Sequence, residues 1–137
     1  MGRTKGGLNT KIHALVDNRG RPVSVVLSAG QAADVAVAPV LLAGVVAGCC
    51  VIADKAYDSN AFRALLARTG NRACIPCLSR RLVEIPYRKA TYKKRHRVEN
   101  FFQKLKRYRR IATRYDKLAE TYFAFLLLAI FVVELLR

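Results

Sequence analysis

The chain has 137 residues, with 25 Lys and Arg against 9 Asp and Glu and a formal net charge of +16. This length suits one domain with a modest core, and a composition that is 53% hydrophobic and 25% charged excludes a disordered tail. Four cysteines are too few for a scaffold held together by disulfides. Because a surplus of positive charge repels itself in a compact fold, we expect a polyanionic partner.

The first third of the chain predicts a β-hairpin followed by a helix. Residues 8–17 and 21–29 partly alternate apolar and polar side chains. The tripeptide Asn-Arg-Gly at 18–20 is typical of a tight turn with one residue at positive φ. Residues 33–46 favour a helix with Asp34 near its start, although an internal proline and several β-branched residues oppose it.

The middle of the chain predicts a buried strand and a capped helix. The run Cys-Cys-Val-Ile-Ala at 49–53 is continuously apolar, which is typical of a strand covered on both faces. Either Asp58 or Ser59 can cap the helix that follows. This helix should run to about Arg68 and be closed by Gly70.

The rest of the chain predicts a short strand, a linker and two helices. Residues 72–76 favour the strand, 78–91 an irregular basic linker, and 117–136 the last helix. The helix predicted over Lys93–Ile111 carries one apolar stripe, made of Val98, Phe101, Phe102, Leu105 and Tyr108. This order of elements predicts an α/β fold with a mixed sheet.

Positive charge is concentrated in residues 80–117, here called the basic segment. It holds fifteen Lys and Arg against three acids, which is +12 of the total of +16. Six aromatic residues are interleaved with these charges: Tyr87, Tyr92, Phe101, Phe102, Tyr108 and Tyr115. A run this one-sided favours salt-dependent binding to nucleic-acid phosphates over a merely solvated helix face.

Two of the nine acids stand out by position. Asp54 directly follows the apolar strand, at a place where α/β sheets form sites, although a turn or cap residue is an equal alternative there. Glu99 lies among bases on the predicted helix, where a surface ion pair with Arg95 is the simple alternative. Carboxylates from two elements in a basic field suit Mg²⁺ ions that act on phosphates, but two carboxylates are too few to hold two ions.

The basic segment also contains a specific spacing. The Y-x2-R-x3-E-x6-K signature of bacterial insertion-sequence transposases of the DDE class is matched here by Tyr92, Arg95, Glu99 and Lys106. Asp-Lys-Ala-Tyr-Asp-Ser at 54–59 is similar to the D-K-G-Y-D-S block around the second catalytic Asp of that family. Residues 2–8, 30–31 and 110–117 resemble the family as well, so the likeness covers nearly the whole chain.

The resemblance implies an RNase H-like core of the integrase type, a mixed sheet flanked by helices, with residues 1–137 forming part of one catalytic domain. It implies metal-dependent hydrolysis of double-stranded DNA at the terminal repeats, followed by strand transfer into target DNA by the freed 3′-OH. Asp54 would be the second acid of a two-ion Mg²⁺ site and Glu99 the third. Phosphates near the cleaved end would contact Tyr92, Arg95 and Lys106.

Three features depart from the family pattern. The first catalytic Asp of the family precedes the block that here begins at Gly2, and Asp17 and Asp34 are poor substitutes at a hairpin turn and a helix start. Ala56 also replaces the usual Gly, and Ala33 stands where a His is common. We therefore expect a partial domain that is inactive alone and oligomeric when functional. It would be either a decayed copy or one frame of a frameshifted element, with the missing acid on an upstream-frame product.

Other functions are open to the same composition. A non-catalytic basic nucleic-acid-binding protein is the main alternative, because the charge alone permits it. Zinc binding by the four cysteines is disfavoured, since Cys49 and Cys50 are adjacent and would point to opposite faces of a strand.

A membrane protein that uses the last helix is the remaining alternative. The apolar stretch at 122–133 has twelve residues, whereas about 20 are needed to span a bilayer, so we expect a buried core helix. The first eleven residues contain no apolar region of a secretory signal. We therefore expect a bacterial cytoplasmic, nucleoid-associated protein.

Overall fold

The computed structural model describes residues 2–4, 7–113 and 117–136. The chain divides into two compact units, which are described separately. Unit 1 comprises Met1–Ala32 and Arg97–Arg137, and unit 2 comprises Ala33–His96. Part of the predicted basic segment, residues 114–116, lies outside the described residues.

The sheet of unit 1 is antiparallel and contains the predicted hairpin. It has the order β1 (Gly2–Thr4), β2 (Gly7–Val16) and β3 (Pro22–Ala29). The turn between β2 and β3 is held by Asp17, whose Oδ1 accepts from the Arg19 amide at 2.8 Å. It closes through Gly20 at φ 77°, a conformation that a glycine adopts without strain. The hairpin prediction is therefore confirmed.

Three helices complete unit 1: α4 (His96–Leu105, beginning at the unit boundary), α5 (Arg109–Ala112) and α6 (Ala119–Leu135). Phe101 and Leu105 of α4 are buried against Leu126 and Val133 of α6, and side chains of β2 and β3 pack on this cluster. The predicted apolar stripe is confirmed. The predicted continuous helix over 93–111 is wrong, because the chain turns after Leu105 and restarts as α5.

Unit 2 is a small α/β unit with the order α1 (Asp34–Leu41), β4 (Cys50–Ile52), α2 (Asn60–Arg68), β5 (Arg72–Cys74) and α3 (Lys89–Tyr92). β4 and β5 are parallel, with α2 as the connection between them. The Ser59 hydroxyl accepts from the Phe62 amide at 3.0 Å, so Ser59 rather than Asp58 caps α2. Gly70 follows the helix at φ 75°, as predicted.

Two predictions for unit 2 need correction. The helix predicted over 33–46 ends at Leu41, shortly after Pro39, whose ring cannot donate a helical hydrogen bond. The strand predicted to be covered on both faces buries Val51, which packs in the core of unit 2, but leaves Cys50 on the opposite face exposed.

The described chain is thus mixed α/β, as predicted, but its strands form two separate sheets instead of one mixed sheet. The antiparallel sheet belongs to unit 1 and the parallel pair to unit 2. Among the described strands none pairs with both β2 and β4, which is why the two sheets are not joined by hydrogen bonds.

A buried hydrogen bond in unit 1 allows a stability test. The Tyr122 hydroxyl, on a residue that is 3% exposed, donates to the Ile111 carbonyl at 2.9 Å and ties α6 to α5. Tyr122→Phe should lower the free energy of unfolding by about 1–2 kcal/mol, because the buried carbonyl loses this donor. Urea denaturation measures the change, with exposed Thr121→Ala as the control within about 0.5 kcal/mol of wild type. Equal stability of Tyr122→Phe and wild type would contradict the assignment.

Candidate metal and nucleic-acid site

Asp54 lies at the carboxyl end of β4, where the chain leaves the parallel pair. It caps the 3-10 turn Lys55–Tyr57, and its Oδ1 accepts from the Ala56 amide at 3.0 Å. The cap alternative from the sequence is therefore correct for one oxygen of this carboxylate. The side chain is 38% exposed, which leaves the group accessible to a ligand.

The second oxygen of Asp54 meets the basic segment. Arg95 Nη2 lies 3.5 Å from Asp54 Oδ2, and the Arg95 side chain is 31% exposed. Both residues belong to unit 2, although one follows β4 and the other ends the 3-10 turn Lys93–Arg95 after α3. An ion pair this exposed adds at most about 1 kcal/mol to stability. Its main effect is to hold the two side chains near each other. It brings a predicted phosphate-binding arginine onto the predicted second acid.

Tyr57 lies near this pair and is influenced by two carboxylates. Burial raises the pKa of Tyr57 to about 12, and the charges of Asp34 and Asp54 act in the same direction. The phenol therefore stays protonated over the whole physiological range. Two acids from separate elements, α1 and the segment after β4, thus act on one side chain of unit 2.

Tyr92 is half-buried at the end of α3, and its ring packs edge-on against Tyr87 with 5.4 Å between centroids. This contact fixes the last turn before Lys93–Arg95, so Tyr92 supports the position of Arg95 in addition to any contact with phosphate.

Glu99 and Lys106 lie in unit 1, at the two ends of α4. Glu99 is exposed in the first turn, opposite the buried Phe101. The Lys106 amide still donates to the Phe102 carbonyl at 3.0 Å, so Lys106 closes the last turn and is exposed.

Arg110 does not share a helix face with Glu99 and Lys106, although the sequence predicted one helix over Lys93–Ile111. Arg110 belongs to the separate helix α5, and its guanidinium lies 4.0 Å from the centre of the Phe125 ring on α6. The break after Leu105 causes this difference, since it restarts the helical phase.

The sequence missed the most buried ionic group of unit 2. Asp58 has a fully buried side chain, and its Oδ1 accepts from Arg63 Nε at 2.8 Å and from Arg81 Nη2 at 2.7 Å. Its Oδ2 accepts from the Leu78 amide at 2.7 Å and from Arg81 Nε at 3.0 Å. Hydrogen bonds from Arg81, with those from Leu78 and Arg63, hold the pKa of Asp58 far below its usual range. In the sequence, the only sign of this role is that Asp58 is the second Asp of the 54–59 block.

A metal ion would find hard oxygen donors here but not a complete set. Asp54 offers a partly exposed carboxylate, which suits Mg²⁺. Among residues 2–4, 7–113 and 117–136, no three His, Cys, Asp or Glu side chains come close enough together to hold an ion. The same part of the chain contains no helix long and apolar enough to cross a membrane.

Comparison with known proteins agrees with the signature. The family described as "Transposase DDE domain" matches residues 2–133. The chain belongs to this family. It is also 37% identical over 132 residues to a Brucella ovis protein named "Putative transposase for insertion sequence element IS6501", which covers 89% of this chain and 95% of that protein. No solved structure matches the chain significantly. The chain is thus a bacterial insertion-sequence transposase of the DDE class, and the resemblance seen in the sequence is confirmed.

The buried Asp58 of this transposase predicts a pH-dependent stability. Asp58→Asn should lower the free energy of unfolding at neutral pH by about 3 kcal/mol, because the two arginines lose a buried counter-charge. Since the folded pKa lies below the ordinary 3.8, the carboxylate stabilises the fold above that pH and loses this effect as the pH falls through the folded value. The difference between wild type and variant should therefore shrink in acid.

Urea denaturation at a series of pH values measures this difference. Glu84→Gln, at an exposed position in the segment after β5, is the control and should stay within about 0.5 kcal/mol of wild type. A difference between Asp58→Asn and wild type that does not change with pH would contradict the prediction.

Proposed function

We propose that this transposase takes part in the metal-dependent cleavage of transposon ends and in strand transfer into target DNA. The observation that supports this most directly is the contact between Asp54 and Arg95. A non-catalytic DNA-binding protein has no need of a partly exposed carboxylate against an arginine of the basic segment, because the carboxylate repels phosphates. A phosphoryl-transfer site needs both charges, one sign for the cation and the other for the DNA backbone.

Each residue of the signature has a role in this proposal. Asp54 and Glu99 hold Mg²⁺, which when bound polarises the phosphate and helps to activate the attacking oxygen. Arg95 and Lys106 hold phosphates next to the cleaved end, and Tyr92 contacts the backbone there. Arg95 also fixes the Asp54 carboxylate while no metal ion is bound.

A third carboxylate has to complete the two-ion site. Asp17 already holds the hairpin turn and pairs with Arg21 at 2.8 Å. Asp58 is fully buried and bonded to two arginines, so neither acid can turn toward a cation without losing these contacts. Among the described residues no three His, Cys, Asp or Glu side chains lie close enough together to hold an ion. We therefore propose that the missing first acid of the family is supplied by an upstream-frame product, and that the chain alone does not cleave DNA.

The fold proposal follows from the same reasoning. Residues 1–137 would be part of one RNase H-like catalytic domain, a mixed sheet flanked by helices. The functional form would be an oligomer that binds both terminal repeats and target DNA.

The first experiment tests the chemistry. The chain, with and without the upstream-frame product, is incubated with Mg²⁺ and a duplex taken from the DNA that flanks the coding sequence. We expect nicking only in the mixture, and a loss of at least about 100-fold for Asp54→Asn or Glu99→Gln, since a metal ligand is removed. DNA affinity should stay equal or rise, because one repulsive charge is gone.

Glu120→Gln, an exposed acid on α6, is the matched control and should nick at the wild-type rate. Robust nicking by the chain alone would overturn the proposed incompleteness, and wild-type nicking by Asp54→Asn would overturn the site. DNA binding without Mg²⁺-dependent nicking in any mixture would support the alternative, a non-catalytic binding protein.

The second experiment tests the phosphate contacts. For Arg95→Gln and for Lys106→Gln, the slope of log affinity for duplex DNA against log salt concentration should fall by about 1 each, because one phosphate contact is lost. Arg68→Gln, an exposed arginine at the end of α2, should leave the slope unchanged. A slope that falls equally for all three variants would mean that the charge acts only as a general attraction.

A further inference from the structure

The segment between β5 and α3 forms a closed loop that carries two exposed apolar side chains. Leu82 is 101% exposed and Val83 is 75% exposed, although both are residues that normally avoid water. The loop comprises residues 78–84 and is here called the tip loop. Everything it contacts below lies within unit 2.

The neck of the tip loop is closed by Cys77 and Ile85. The Ile85 amide donates to Cys77 Sγ at 3.1 Å, and the thiol donates back to the Ile85 carbonyl at 3.3 Å. Just beyond the neck, the Cys74 thiol reaches the Arg88 carbonyl at 3.6 Å. The two ends of the tip loop are therefore held close together.

The inner side of the tip loop is fastened by Arg81. Its guanidinium bonds to both oxygens of Asp58, and its Nη1 donates to Asn60 Oδ1 at 2.7 Å. The Arg81 amide donates to the Leu78 carbonyl at 3.0 Å, which makes a tight turn. With its base fixed at Leu78 and Arg81, the loop presents Leu82 and Val83 outward in a defined position.

The surroundings of these side chains are positive. Arg80, Arg88 and Lys89 are exposed on either side of the tip, against one exposed acid, Glu84. Unit 2 as a whole has eleven Lys and Arg against four acids. A second copy of this chain would bring the same charge to the contact and be repelled, whereas DNA is the complementary polyanion. Arg80, Leu82 and Val83 line one side of a wide, open groove.

We propose that Leu82 and Val83 form an apolar wedge that enters duplex DNA and unstacks a base step while the flanking cations hold the phosphates. Apolar side chains between base steps are a known physical means of kinking DNA, and flexible pyrimidine–purine steps yield to them most easily. This inference rests on the proposed function, in that the bound partner is DNA.

The test uses the full chain and a short duplex with 2-aminopurine at a central TpA step. Wild type should raise the 2-aminopurine fluorescence on binding. The double variant Leu82→Ala, Val83→Ala should abolish the rise and weaken affinity about tenfold, since the apolar surface that the two side chains bury between the bases is lost. The salt dependence should not change, because no charge is removed.

Two control variants test whether the effect is specific to the apolar side chains of the tip loop. Val46→Ala removes another exposed apolar side chain of unit 2, 74% exposed, and should behave like wild type. Leu82→Met keeps a long apolar group and should keep the fluorescence rise. Circular dichroism checks the fold, which substitutions at such exposed positions should leave intact.

The possible outcomes distinguish the apolar wedge from DNA binding by the chain in general. Salt-dependent binding with no fluorescence rise in wild type, or an equal rise in the double variant, overturns the wedge but leaves DNA binding intact. No binding of wild type to any duplex overturns the wedge and DNA binding by this chain together. A change of oligomeric state in the double variant, measured by analytical ultracentrifugation, would assign the tip loop to self-association and also overturn the wedge.

Discussion

The buried carboxylate of Asp58 is the constraint on which unit 2 depends. A carboxylate without solvent is tolerated only when its charge and lone pairs are matched, and here Arg63, Arg81 and a backbone amide match them. Arg63 also donates to the Ile75 carbonyl at 2.9 Å. Asp58, in the segment after β4, is thus linked through Arg63 to helix α2 and the residue after β5. It is linked through Arg81 and the Leu78 amide to the tip loop.

The same short block contains two aspartates with opposite environments. Asp54 is 38% exposed and has one arginine at 3.5 Å, whereas Asp58 is fully buried and has two at 2.7 and 2.8 Å. Burial fixes Asp58 in its contacts because leaving them would strand a charge. Exposure leaves Asp54 able to exchange its arginine for a cation at little cost. Asp58 therefore has a structural role, whereas Asp54, four residues earlier, is the acid for which we propose a chemical one.

The sequence could predict those features of the structure that depend on residues close together in the chain. The Asn-Arg-Gly turn, the Ser59 cap and the position of Asp54 after an apolar strand all depend on near neighbours in the chain. Periodicity could not show the break after Leu105, because Tyr108 keeps the apolar spacing across it. Nor could it show which arginine meets which acid. Arg81 reaches Asp58 across 23 positions, and such pairings are set by the packing of whole elements.

The short connection between Asp54 and Asp58 also joins the tip loop to the candidate site. Four residues of extended chain span at most about 14 Å, so the anchor of the loop lies within that distance of the acid proposed to hold metal. Phosphates follow one another about every 3.4 Å along the axis of a DNA strand, so this length corresponds to about four base pairs. A duplex held at Asp54 and Arg95 with its axis directed toward the tip loop would reach the base of that loop within a few base pairs. A deformation made there would act on DNA close to the reacting phosphate, and the rigid ionic anchor is what would transmit it.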